Sequence, residues 1–140
     1  MKLNIVVAHC PIGNAPEYEP FYIQDLDKLE DASCTGIYTS SLCFTDHPLE
    51  ALQAIVTKLR YDASIIVEGV EILEVARNLH IANISIQEAN ALLFQEGNAV
   101  SCVSINNILD FLTACGLKIK RRRIEDNHHY IEAVRINDRN

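Results

Sequence analysis

The first side chains able to do chemistry are His9 and Cys10, at the end of an apolar run near the N-terminus. An imidazole beside a thiol offers the donor atoms of a metal-ligand pair or of a thiolate–imidazole couple. Adjacent residues on a strand point to opposite faces, however, and no further ligand follows at the spacing of a zinc site. The same argument applies to His128 and His129 on a predicted hairpin strand. We therefore predict ordinary strand-end residues here and no metal site.

Carboxylates follow two of the predicted strands. Asp25 comes just after the short run 21–23, and Glu68 lies near the end of the most strand-like run, 64–69. Doubly wound sheets bind ligands at the carboxyl ends of their strands, where Asp25 would accept hydrogen bonds from a ribose and Glu68 would line the pocket. The alternative is that neither carboxylate binds a ligand. Asp25 then belongs to a solvated acidic loop, and Glu68 marks the point at which the buried strand becomes exposed to solvent.

Two further charged features have a chemical and a structural interpretation. His47 precedes Pro48 at a predicted helix start, so it is either an acid–base residue or, as we favour, a surface cap. The basic run 118–123 contains Lys118, Lys120 and three consecutive arginines. Cations on an edge strand prevent unwanted sheet-to-sheet pairing, which we favour over phosphate binding, and docking of an acidic partner stays open.

Composition predicts one folded domain over residues 1–140. The chain is 49% hydrophobic with a net charge of −7, which excludes disorder and argues against nucleic acid and anionic membranes as partners. Its five cysteines are scattered, without a CxxC pair, and indicate reduced thiols in the cytoplasm. No apolar run is long enough for a membrane span, and the strand beginning directly after Met1-Lys2 predicts no signal peptide.

Short apolar runs alternate with amphipathic segments along most of the chain. Strands are predicted over 3–8, 21–23, 36–42 and 64–69, and helices after Pro48 and over 70–80, 86–94 and 104–115. Asp46, Ser85 and Ser104 are the predicted N-caps, and Gly116 the helix end. Residues 10–20 are a proline-rich loop, 61–63 a turn, and 117–136 a hairpin turning at 126–127.

This order predicts an α/β, Rossmann-like fold. Its sheet is mostly parallel and flanked by helices, and a C-terminal antiparallel β-hairpin closes the chain. Segments 3–8, 37–42 and 64–68 should be neighbouring parallel strands, because each is short, apolar and adjacent to a helical segment.

Several motifs, in order, resemble the class I S-adenosylmethionine-dependent methyltransferases. Asp25-Leu26 resembles the acidic residue and leucine that follow an early strand of that family. IYTSSLCFTDH at 37–47 resembles the family's D-x-I-x-A-S-H-V-L-E-H, and segment 59–69 occupies the place of L-K-P-G-G-x-L-x-I. LTACGL at 112–117 matches L-x-x-x-G-L/F, and 130–135 matches the final strand of short phage-encoded members. The resemblance covers residues 20–136 and implies a truncated methyltransferase fold.

The resemblance also implies where a cofactor would lie. Its contacts would come from Ala8, Gly13, Asp25, Leu26 and Ser40, while no catalytic residue is assigned. The family's GxGxG loop is replaced by VAHCPIG, in which Gly13 is the last glycine, although glycines are what allow the backbone to approach a ligand closely. The family's Pro-Gly-Gly turn is likewise replaced by Tyr-Asp-Ala at 61–63. Between the first two strands there is no room for the helix whose N-terminus would face the methionine moiety.

These departures favour a degenerate, non-catalytic methyltransferase-like protein that binds a partner protein or assembles with itself. The match to phage-encoded members implies a phage component or accessory, in the host cytoplasm or the virion. No cofactor is expected in that case. The alternative is an active S-adenosylmethionine-dependent methyltransferase with an unusual loop, and a third is a small-ligand or nucleotide-binding module.

Overall fold

The computed structural model describes residues 1–137, whose strands form a single mixed sheet. The strands are β1 Lys2–Val6, β2 Glu19–Tyr22, β3 Cys34–Thr39, β4 Leu59–Val70, β5 Leu117–Glu125 and β6 His128–Arg135. They are arranged in the order β2-β1-β3-β4-β6-β5. The pairs β1–β2, β1–β3 and β3–β4 are parallel, whereas β6 runs antiparallel to β4 and β5. The predicted Rossmann-like fold, its neighbouring parallel strands and its closing hairpin are confirmed.

The helices are α1 Pro48–Lys58, α2 Ile72–His80, α3 Ile86–Phe94 and α4 Ile105–Ala114. Shorter 3-10 turns cover Ile23–Lys28, Leu42–Phe44 and Gln95–Gly97. Within residues 1–137, none of the helices has the length and apolar character that a membrane crossing requires.

Helices α1 and α4 pack on one face of the sheet. That face is formed by alternate strand residues such as Ile37, Ile65 and Ile131, each fully buried. Helix α1 contributes Leu52 and Ile55, and α4 contributes Ile108 and Leu112 at the same depth. Because strand side chains alternate between faces, alternate residues such as Leu3 and Ile5 of β1, Ile65 and Val67 of β4, and Ile131 and Ala133 of β6 enter this core.

The opposite face is covered partly by the β1–β2 connection, residues 7–18, which contains no helix. Asn4 Nδ2 donates a hydrogen bond to the carbonyl oxygen of Gly13, and the Tyr18 ring lies 6.0 Å from the Tyr38 ring. The shortage of room for a helix between the first two strands, expected from the sequence, is therefore confirmed.

Helices α2 and α3 form a hairpin beyond the carboxyl end of β4. They share a small cluster of their own, made by Val70, Val75 and Ala89. Ser85 and Glu88 form a reciprocal capping box at the start of α3, and Ser104 caps α4, as predicted. Gly116, with φ +86°, follows α4 in the left-handed region that favours glycine at a helix end.

Two local predictions are wrong. The N-cap of α1 is His47 rather than Asp46, and no side chain caps that helix end. Residues 61–63 are not a turn but part of the long strand β4, where Asp62 has φ +67°. The β3–β4 register shifts between Cys34 and Gly36, so the chain absorbs the irregularity as a bulge and continues the strand.

Candidate functional site

The carboxyl ends of the parallel strands meet at one edge of the sheet. Because β6 runs antiparallel to β4, its first residues reach the same edge, where Gly69 pairs with His129 and Val70 with His128. This is the edge at which open α/β sheets bind ligands. The strands therefore bring three separate parts of the chain together: the loop after β1, the end of β3 and the β4–β6 junction.

A cleft of about 250 Å³ lies at this edge. It is lined by the loop 11–14, by Tyr38 and Ser40 of the β3 end, by Glu68 of β4 and by His128 of β6. A second hollow of about 280 Å³ adjoins it and shares Glu68 and His128. Ser40 and Glu68 are half-buried and His128 is exposed, so the cleft can present hydrogen-bonding side chains to a small ligand.

Tyr38 and Glu68 form the shortest polar contact in the cleft. The Tyr38 hydroxyl donates to Glu68 Oε2 at 2.5 Å. Burial, followed by the hydrogen bond to Glu68, raises the pKa of Tyr38 far above its usual value. The phenol is therefore protonated at neutral pH and acts as a hydrogen-bond donor rather than as a base.

Gly13 closes the cleft from the loop side. A Cβ atom added there would lie 2.4 Å from Ser40 Oγ and 2.8 Å from the Tyr38 hydroxyl. Only glycine permits this close approach without a shift of its neighbours. The loop is thus packed directly against the end of β3.

The Cys43 thiol, on the same edge, is not an activated nucleophile. Burial raises its pKa to about 11, so the thiol is protonated at neutral pH. Catalytic thiols have the opposite property, a pKa lowered by a cation or a helix N-terminus.

Behind the cleft, Glu71 and His129 form a buried pair. Glu71 Oε1 lies 3.1 Å from His129 Nδ1, and both side chains are 1% exposed. Burial lowers the pKa of His129, an effect that the neighbouring Glu71 partly offsets. A Cβ atom at Gly69 would be 3.2 Å from His129 Nε2, so the imidazole also lies tightly against the β4 backbone. His129 borders the second hollow, but both side chains are almost wholly buried, and the pair acts as a structural junction.

The structure brings two of the proposed cofactor residues, Gly13 and Ser40, together in the cleft. Ala8 lies in the turn after β1, where the Cys10 N–H donates to the Val7 carbonyl. Asp25 is in the 3-10 turn after β2 and pairs with Lys28 at 3.1 Å, and Leu26 is buried in the main core. These three residues do not line the cleft.

His9 and His47 are exposed, and no group of three or more His, Cys, Asp or Glu side chains in residues 1–137 is arranged to hold a metal ion. Glu68 lines the cleft, which agrees with the first of the two interpretations that the sequence left open for it. Sequence reasoning missed Tyr38 and Glu71. The position of Glu71 in the sequence could have indicated its role. It lies between a buried strand and an amphipathic helix, where an acidic side chain can cap the helix.

Several solved structures are similar to this arrangement. A SAM-dependent methyltransferase from Thermotoga maritima has a TM-score of 0.57 at 16% identity, with 84% of this chain and 64% of that one covered. A SAM-dependent methyltransferase from Archaeoglobus fulgidus has a TM-score of 0.56 at 14% identity, and the match covers 86% of this chain and 69% of that one. An O-methyltransferase family protein from Burkholderia thailandensis has a TM-score of 0.61 at 11% identity, and the match covers 88% of this chain and 37% of that one. No protein-family model and no curated protein sequence matches the chain.

The fold is that of the SAM-dependent methyltransferases. At these identities the likeness concerns the fold alone. The chain also spans less than two thirds of the Thermotoga protein and little more than a third of the Burkholderia protein. The cleft lies at the carboxyl ends of the parallel strands, the edge at which sheets of this kind generally bind ligands.

Proposed function

We propose that this chain is a degenerate methyltransferase-like protein that does not transfer methyl groups and acts by binding a partner protein or by assembling with itself. The observation that supports the proposal most is the conformation of the connection 7–18. This loop contains no helix and packs against the end of β3, whereas a cofactor-binding loop would have to leave space for the cofactor there. The resemblance to phage-encoded members favours a phage component or accessory, and this part rests on the sequence alone.

The residues present do not fit the cofactor S-adenosylmethionine. The loop peptide at Gly13 already accepts a hydrogen bond from Asn4 and lies against Tyr38 and Ser40. No helix N-terminus follows β1 within residues 1–22, so the backbone N–H groups that such a helix offers to a ligand are missing there. We therefore derive no chemical step through this cofactor.

One observation favours the alternative, an active methyltransferase. Asp25 follows β2 at the carboxyl edge with its side chain 35% exposed, so its second oxygen is free to accept a hydrogen bond from a ribose. The ion pair with Lys28 is a surface contact between neighbouring turns and is weak enough for a ligand to replace.

Calorimetric titration of the full chain with S-adenosylmethionine, and separately with S-adenosylhomocysteine, tests the proposal. We expect no binding heat and no thermal shift. A ligand at a hundredfold excess over its Kd would stabilise the fold by about 2.7 kcal/mol, which a thermal melt detects readily.

Asp27→Ala is the matched control for Asp25→Ala, because both carboxylates lie in the same 3-10 turn and Asp27 is exposed. A one-to-one isotherm that is abolished by Asp25→Ala and retained in Asp27→Ala would overturn the proposal and establish the active enzyme. Binding that survives both substitutions would also overturn it, with the cofactor held elsewhere at the edge.

A further inference from the structure

Strand β5 forms a strongly basic edge of the sheet. Its residues 118–123 contain five of the chain's 12 Lys and Arg residues, and β5 has a neighbour on one side only. Within the described part of the chain, none of these five side chains makes an ion pair. The Arg123 guanidinium lies 4.7 Å above the Tyr130 ring, and a hollow of about 460 Å³ runs beside both residues. We call this surface, residues 118–123 with Tyr130, the basic edge.

The other edge of the same sheet is acidic. Strand β2 and its flanking turns contain six carboxylates within residues 17–31, against a single lysine, Lys28. Three of these carboxylates pair with lysines at the surface. Glu19, Asp27 and Glu30 are exposed and make no ion pair among residues 1–137. We call this surface, residues 17–31, the acidic edge.

The two edges of one molecule are too far apart to neutralise each other. Six strands at a spacing of about 4.8 Å separate them by about 24 Å. The screening length at physiological salt is about 8 Å, so each edge acts on its surroundings with its own local charge. A partner approaching β5 therefore experiences the cations of the basic edge rather than the net charge of −7.

We propose that the basic edge docks onto the acidic edge of a second copy of this chain. The inference rests on the proposed function, since it names the chain itself as the partner. The two edges are different surfaces, so the contact is head-to-tail and each copy retains one free edge of each sign. Repetition of the contact produces an open chain of molecules, or a ring where the rotation closes.

Side chains, rather than a continuous sheet, make this contact. Pro20 in β2 lacks a backbone N–H, and a register shift between Ile119 and Arg121 interrupts β5. Both features hinder the addition of a strand to a sheet edge. Charge complementarity is then the main attraction, and it makes the association strongly dependent on salt.

Sedimentation velocity on the full chain tests the contact. We expect association at about 100 µM protein in about 25 mM NaCl and its loss in about 500 mM NaCl, where the screening length is near 4 Å. Lys120→Glu with Arg122→Glu lowers the net charge of the basic edge from +5 to +1, and Glu19→Lys with Asp27→Lys changes that of the acidic edge from −5 to −1. All four side chains are exposed, so neither double variant removes a buried contact.

Each double variant alone should be monomeric, because one of the two edges that form the contact has then lost most of its net charge. An equimolar mixture of the two should associate again, with a Kd within about tenfold of the wild-type value. The matched controls change charge equally but lie away from the edges: Arg60→Glu with Arg77→Glu, and Glu50→Lys with Asp110→Lys. Both controls should associate like the wild type.

Three results would overturn the inference: a wild-type chain that stays monomeric at low salt, association that survives the charge changes at either edge, or a mixture of the two double variants that fails to associate. Tight, salt-dependent binding of duplex DNA by the basic edge, measured by fluorescence anisotropy, would overturn it as well and assign that edge to nucleic acid. None of these results concerns S-adenosylmethionine. A monomeric chain that binds no cofactor refutes this contact only, whereas calorimetric binding of the cofactor refutes the proposed function.

Discussion

Glu71 and His129 form a buried junction between three elements of the fold. Glu71 Oε1 lies 3.1 Å from His129 Nδ1 on β6. The same carboxylate accepts hydrogen bonds from the backbone N–H groups of Leu73, in the first turn of α2, and of Ile105, the first residue of α4. The Glu71 side chain thus satisfies backbone donors at two helix N-termini and orients the imidazole of His129. Both helix dipoles also favour a negative charge at this position.

Removal of the carboxylate should destabilise the fold strongly. Glu71→Ala leaves two buried donors, on Ile105 and His129, and the partly buried N–H of Leu73 without this acceptor, and each unsatisfied buried group costs about 1–3 kcal/mol. We expect a loss of about 3–5 kcal/mol in the free energy of unfolding, measured by urea titration. Glu74→Ala is the control, because Glu74 lies one turn along α2 in a surface ion pair with Arg77 and should cost less than about 1 kcal/mol. Equal losses for the two variants would contradict this role of Glu71.

The pair also predicts how stability depends on pH. Burial lowers the pKa of His129 in the folded chain, and Glu71 offsets the effect only partly. In the unfolded chain a histidine takes up its proton near pH 6.5, so below that pH the unfolded state binds more protons than the folded state. Stability is therefore complete above about pH 6.5 and falls as the pH decreases through that value, by at most about 1.4 kcal/mol per pH unit for this one group.

Urea titrations between pH 8 and pH 5 measure this dependence. His129→Gln should be less stable than the wild type at neutral pH but should show a flatter decline below about pH 6.5. His80→Gln is the control, because His80 is exposed in the last turn of α2 and is not among the groups that shift the pKa of His129, so the decline should be retained. A decline that persists unchanged in His129→Gln would contradict the assignment of this pH dependence to His129.

The packing of Gly13 against the end of β3 gives a third prediction. Gly13→Ala places a Cβ atom 2.4 Å from Ser40 Oγ, so the loop must move or Ser40 must turn away. We expect a loss of about 1–3 kcal/mol, as for other overpacked sites. Ser40→Ala removes the atom that is approached most closely, and in the Gly13→Ala background it should restore part of the loss. A double-mutant cycle measures this coupling, and strict additivity of the two substitutions would show that the residues do not touch.

The order of the sheet is predictable from the sequence because its central strands are short and almost uniformly apolar. Buried parallel strands require such runs, and β1, β3 and β4 contain them. Ser85, Ser104 and Gly116 are similarly predictable, because a helix cap depends on one residue and its immediate neighbours. The bulge at Asp62 is not predictable in this way. Tyr-Asp-Ala resembles a turn locally, and the chain resumes its pairing with β3 only after it, because the register passes from Cys34–Leu59 to Gly36–Ser64.

The candidate site is less predictable, because its contacts join residues far apart in the chain. The Tyr38 hydroxyl on β3 donates a hydrogen bond to Glu68 on the neighbouring strand β4. Gly13 lies in an irregular loop that packs against Ser40 at the end of β3. The spacing of apolar residues, which predicts helices and strands, carries no information about such long-range contacts. For Glu68 the sequence could offer a position in a pocket as one of two interpretations, because that position depends only on its place near the carboxyl end of a buried strand.

Leu112 tests the core that both the sequence and the structure assign to α4. It is fully buried and faces the sheet, in the same cluster as Ile131 and Ala133 of β6. Leu112→Ala retains a good helix former, so helix propensity is preserved and the loss reports packing alone. We expect a loss of about 2–5 kcal/mol by chemical denaturation, the range for a buried leucine that leaves a cavity. Asp110→Ala, on the exposed side of the same helix, should change stability by less than about 0.5 kcal/mol. If Leu112→Ala also loses less than about 0.5 kcal/mol, α4 does not form the core that joins the hairpin to the rest of the sheet.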